Sequence, residues 1–89
     1  MARFELADID GATLAPVNAR GEVFYELGIM YAAGRNVQLD LVSAHKWFNL
    51  AAMRGNSEAV RLRREVAEEM TAAEIAAAQR AARDWLTTH

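Results

Sequence analysis

GEVFYELGIMYAAGRNVQLDLVSAHKWFNLAAMRGN, residues 21–56, decides how this chain folds. Two runs of apolar residues at helical spacing flank a short polar segment, the pattern of a helical hairpin. The first helix, A, is expected from Asn18 or Ala19 to about Ala33, with Val23, Leu27, Met30 and Tyr31 on one face and Phe24 beside them. Gly34 follows, free to take the left-handed conformation that closes a helix. Asn36, the side chain that best tolerates positive φ after glycine, marks a second left-handed position, and Val37 is placed to turn back under the hairpin. Asp40 then caps the next helix, B, its carboxylate accepting from unpaired N–H groups of the first turn. The expected inner face of helix B is Leu41, Ala44, Trp47, Phe48, Ala51 and Ala52, and Gly55-Asn56 ends it.

Two more helices are expected downstream. Helix C opens at Asn56 or Ser57 and runs to about Glu69, turning Ala59, Leu62, Val66 and Met70 inward. Thr71-Ala72-Ala73-Glu74 is a capping box, in which hydroxyl and carboxylate each satisfy a backbone donor. It opens helix D, whose stripe is Ile75, Ala78, Ala82, Trp85 and Leu86. Short connections make neighbouring helices antiparallel. The expectation is an all-α fold of two antiparallel helical hairpins, four helices in all. Residues 1–16 show no sustained period and read as a flexible arm. Residues 17–56 form one hairpin and 57–89 a second that caps it, with 17–89 a single folded domain.

Leu27-Gly28-Ile29-Met30-Tyr31, then Gly34, Val37 and Asp40, then Ala44, Trp47-Phe48, Ala51-Ala52 and Gly55 follow a specific register. Together they resemble one Sel-one-like repeat, a family related to the tetratricopeptide repeats. The resemblance spans about Gly21 to Ala59, under half of the chain. It implies a superhelical, tetratricopeptide-like arrangement in which Gly28 and Ala44 allow two helices to approach closely, and Tyr31, Trp47 and Phe48 fill the space between layers. Asn36 stands where the family usually has glycine. A second copy in register would align Val23 with Ala59. It would set Arg63 and Arg64 where Leu27 and Gly28 stand, and burying two arginines there is too costly in desolvation. One repeat with a capping hairpin is therefore expected, since solenoids need about three repeats to be stable otherwise.

The bulk composition limits the alternatives. Eighty-nine residues suffice for one domain, with 53% hydrophobic and 25% charged residues, 5 glycines and 1 proline. The absence of cysteine removes disulfides, thiolate zinc sites and cysteine nucleophiles, and fits a reducing compartment such as the cytoplasm. Glu5, Asp8 and Asp10 interrupt the first ten residues, so these do not read as a secretory signal. No run reaches the ~20 apolar residues of a membrane span. A net charge of -2 points neither to nucleic acid nor to an anionic membrane.

Residues able to carry chemistry are sparse. His45 and Asn49 share a face at i,i+4, and a solvated histidine on the outer side of helix B is the expectation. Among the arginines, Arg54, Arg61, Arg63 and Arg64 cluster, but Glu58, Glu65, Glu68 and Glu69 interleave with them. The pairs Arg61–Glu65 and Arg64–Glu68 at i,i+4 describe a solvated, salt-bridged face. No metal-ligand spacing, phosphate loop or nucleophile motif is present. The expected function is a non-catalytic protein-interaction module or adaptor without cofactor or metal, the role the resemblance implies, with another protein or peptide as partner. Tyr25, His45, Asn49 and Arg54 are the candidate partner-binding residues. A second reading is a homodimeric structural module that buries Leu50, Met53 or Trp85. Remote readings are a small enzyme using His45 or a DNA-binding helical protein.

Overall fold

Side-chain caps set three of the four helix starts. The computed structural model describes residues 20–88, which form α1 (Gly21–Ala33), α2 (Leu41–Met53), α3 (Ser57–Ala67) and α4 (Ala72–Thr88). The arm at 1–16 and His89 lie outside the described residues, and the first helix does not start at Asn18 or Ala19 as expected, because Arg20 is extended (φ −80°, ψ 165°) and α1 begins at Gly21. At Asp40 the carboxylate accepts from the Ser43 N–H at 3.1 Å and from the Ser43 hydroxyl at 2.8 Å. Asn56 Oδ1 accepts from the Ala59 N–H at 3.0 Å and so opens α3. The capping box forms in full, with the Glu74 N–H donating to Thr71 Oγ1 at 3.1 Å and the Thr71 N–H to Glu74 Oε1 at 2.8 Å. Only Arg20, ahead of α1, caps with no side chain.

The loop chemistry follows the residues that allow it. Gly34 takes φ 71°, and both its N–H and that of Arg35 donate to the Met30 carbonyl, closing α1. Asn36 takes φ 64°, the second left-handed position. The Asp40 N–H then donates to the Tyr31 carbonyl at 3.1 Å, which ties the start of α2 to the end of α1. Because Gly21 lies against Ala51 and Asn56, and Gly28 against Phe48, the two helices run antiparallel. Helix α3 ends two residues short of the expected Glu69. There the bonding tightens to i−3 pairs, Glu69 to Val66 at 3.0 Å and Met70 to Ala67 at 3.1 Å, and the chain turns.

Helix α2 is the hub, packing against α1, α3 and α4. Its buried residues are Ala44, His45, Trp47, Phe48, Leu50 and Ala51. Phe48 and Leu50 stand 200° apart around a helix, so α2 is covered on opposite sides. Consecutive aromatics divide the core between them. Trp47 stacks on Phe24 (5.8 Å, 12°), and Trp85 of α4 meets both edge-on, at 5.7 Å from Trp47 and 5.4 Å from Phe24. Phe48 turns the other way, against Gly28 and Tyr25. The hairpin of α3 and α4 leans mainly on α2, with little packing between its own two helices.

Three expectations about faces change. Val23 is 38% exposed while Phe24 is fully buried, so the inner stripe of α1 is Phe24, Leu27 and Gly28. The α1 sequence is apolar over more than one stripe, and its contacts with Trp47 and Trp85 select Phe24. Leu86 is 36% exposed, and Ala78, Ala82 and Trp85 alone carry the buried face of α4. Leu50, treated in the sequence as leftover surface, is 1% exposed.

Candidate functional site

A groove opens between α1 and α3, floored by α2. Phe48 forms its base, Ile29 and Ala32 of α1 form one wall, and Leu62 and Val66 of α3 form the other. Leu41 closes one end, and the carboxylates of Glu65 and Glu69 stand on the α3 rim. The cavity measures about 200 Å³. Helical spacing builds each wall, because Leu62 and Val66 lie at i, i+4 of one helix face and Ile29 and Ala32 at i, i+3 of another, while Glu69 follows in the turn after α3. Ala32 leaves the α1 wall low; Phe48 itself is covered, and the apolar surface that meets solvent is that of the half-buried walls Ile29, Ala32, Leu62 and Val66. Leu41 at the start of α2 shares this groove with Val66 and Glu69 at the end of α3, which shows that α2 and α3 are antiparallel.

The rim is acidic. Arg61 bridges Glu58 and Glu65 along α3, at 2.8 Å to the latter. Glu69 has no side-chain partner among the described residues. Arg64 and Glu68 form no ion pair among those residues either. Arg63 points inward instead, donating to Asn49 Oδ1 at 2.6 Å across the α2–α3 contact. Its charge is therefore half-buried under α3 and no part of a solvated face.

The four candidate binding residues are not gathered in one place. Tyr25 is half-buried, its ring 6.0 Å from that of Phe48 and tilted by 51°, on the flank of α1 that leads into the groove. Asn49 is half-buried and engaged by Arg63. Arg54 is exposed at the far end of α2, its guanidinium 5.6 Å above the Phe24 ring. It borders a second, wider cleft of about 600 Å³ with Arg20, Glu22 and Glu58. Charges of both signs mix there, and the Arg20–Glu22 pair closes at 3.4 Å.

His45 corrects the sequence reading most sharply. It is buried, with 4% of its surface exposed, where a solvated residue was expected. The face it shares with Asn49 is the one α3 covers. Its Nδ1 has no hydrogen-bond partner among the described residues. Burial lowers its pKa from the ordinary value, and the Arg63 charge lowers it further, against a smaller opposing contribution from its own backbone. His45 is thus a neutral core residue with no carboxylate to orient it among the described residues.

Of the groove residues, Ile29 was read in the sequence only as part of the repeat register, Leu62 and Val66 only as packing positions, and Glu65 and Glu69 only as a solvated face. The sequence does carry a signal, since Glu65 and Glu69 each stand three residues after an apolar wall residue, Leu62 and Val66. Knowing that α1 stops short of covering those wall residues requires the tertiary structure. Among the described residues, no group of three or more histidine, cysteine or acidic side chains is placed to hold a metal ion. No helix among them is long and apolar enough to cross a membrane. No family model, curated protein or solved structure matches this chain.

Proposed function

We propose that this chain is a small, non-catalytic protein-interaction module of the Sel-one-like repeat type, and that the α1–α3 groove receives a peptide segment of its partner. The observation that carries this reading is the groove between α1 and α3, whose apolar walls Ile29, Ala32, Leu62 and Val66 are only half-buried above a covered Phe48 base. A short groove of this depth takes side chains from a helix or an extended segment. The resemblance over residues 21–59 supports an adaptor role, and the lack of cysteine suits a cytoplasmic setting.

The competing readings draw less support. Self-association through Leu50, Met53 or Trp85 retains only Met53 as a large exposed surface, at 58%, because Leu50 and Trp85 are buried. DNA binding through the arginines of α3 competes with their present contacts, since Arg61 is held by two glutamates and Arg63 by Asn49. An enzymatic role for His45 lacks an acidic partner to orient the ring among the described residues.

The test is capture of partners from the native host by the full chain, comparing the unaltered protein with Ala32→Arg, which fills the groove from its low wall. Arg80→Ala, on the exposed side of α4, is the control. Loss of a partner from Ala32→Arg but not from Arg80→Ala is expected. Equal recovery of every partner by both variants, with circular dichroism showing both folded, would reject the groove.

A further inference from the structure

The charges around the groove favour one sign of ligand. Glu65 of α3 and Glu69 in the turn after it border the groove beside Leu62 and Val66. Glu65 is engaged by Arg61. No lysine or arginine lines the groove among the described residues. An anionic segment would meet repulsion from these carboxylates, while a cation would find Glu69 without a side-chain partner among the described residues.

We propose that the groove binds a cationic amphipathic segment of a partner protein: aliphatic side chains seated between Ile29 and Ala32 on one side and Leu62 and Val66 on the other, flanked by lysine or arginine reaching Glu65 and Glu69. This rests on the interaction reading above and specifies the chemistry of its ligand. The cavity of about 200 Å³ suits one or two aliphatic side chains and excludes a longer apolar run. Anchor and charge divide the work. The apolar side chains supply the contact area, while the rim carboxylates orient the segment and speed its encounter. Binding is therefore salt-dependent, because the rim charges are exposed and the screening length at physiological salt is about 8 Å.

The experiment titrates the full, isotope-labelled chain with two synthetic helical peptides of the same length. Both carry leucine at i, i+4 and i+7, and the remaining positions are lysine-rich in one and glutamate-rich in the other. The expected result is amide shift changes centred on Ile29, Ala32, Leu62 and Val66 with the lysine peptide, and none with the glutamate peptide. Glu69→Gln combined with Glu65→Gln weakens binding by about three- to tenfold, as expected for two exposed ion pairs. The same loss appears for the unaltered chain between low and high salt.

Equal binding of both peptides in the groove would overturn the charge proposal and leave the interaction reading standing. Absence of groove shifts with either peptide would overturn the proposal, and partner capture by the groove-filled variant then decides the interaction reading separately. Two other occupants have their own signatures. Groove shifts that grow with protein concentration, without peptide, identify a second copy. Broadening at Ile29 and Val66 by a spin label on an Ala2→Cys variant, the only thiol in the chain, identifies the chain's own first residues. Either outcome replaces the proposed ligand.

Discussion

A methyl group at Gly28 would sit 2.5 Å from Cδ1 and Cε1 of the Phe48 ring, closer than such atoms pack. Phe48 is 1% exposed and packs against Tyr25, so making room for the methyl means displacing a buried ring from its present contacts. On an exposed helix position, replacing glycine with alanine stabilises by about 1 kcal/mol. Here the overpacking cost, about 1–3 kcal/mol, is larger and opposite. Gly28→Ala is expected to lower the urea midpoint, with a net loss of about 1–2 kcal/mol. His45 makes a second case in which surroundings override residue type. Its folded pKa lies below the unfolded value of about 6.5, so near that pH the unfolded chain binds more protons than the folded one. Stability is therefore full above the unfolded pKa and declines as pH falls below it, levelling once the folded pKa is passed. Urea midpoints should drop between pH 7.5 and 5.5, and His45→Leu should flatten that slope. An unchanged slope in that variant would show that His45 titrates freely in the fold.

Helix boundaries were legible in the sequence because capping is local. Gly34, Asn36, Asp40, Asn56, Thr71 and Glu74 each act within four residues of their position, and each is found in the expected role. The phase of the helices was less legible. In α1, apolar residues at 23, 24, 25, 27, 29, 30 and 31 fit more than one inward stripe, and α4 selects Phe24 over Val23 through Trp85. The groove was not legible at all, since it depends on how far α3 stands from α1. The caps give a prediction at this scale. Asp40→Ala removes both the N–H bond to Ser43 and the hydroxyl bond, so α2 loses about 1 kcal/mol of support. Because α2 is packed on every other helix, that loss should appear in global unfolding and not as local fraying. Hydrogen exchange would separate the two, with amides of α1 and α4 exchanging faster in the variant if the effect is global.

At the scale of the molecule, one buried helix holds three others, and the holding points are few. Trp85 is the place where α4 meets both α1 and α2, edge-on to Phe24 and Trp47. A chain of this length has a total stability of roughly 4–13 kcal/mol. Removing a large buried aromatic costs about 3–5 kcal/mol, a large share of that total. Trp85→Ala also uncovers one side of Phe24 and Trp47, whose stacked pair then borders water. Since α4 has little packing against α3, only the small side chains Ala78 and Ala82 of its buried face then remain to hold it. Two outcomes are separable in a urea titration followed by circular dichroism and by the fluorescence of the remaining Trp47. If α4 belongs to one cooperative unit, both signals should shift together to a much lower midpoint. If α4 only leans on an independently stable core of α1, α2 and α3, helical signal should be lost first while Trp47 reports a later transition. The shared aromatic cluster favours the first. Trp85→Phe, which keeps a ring in the cluster, should restore most of the midpoint, tying the effect to that contact and not to the helix propensity of α4.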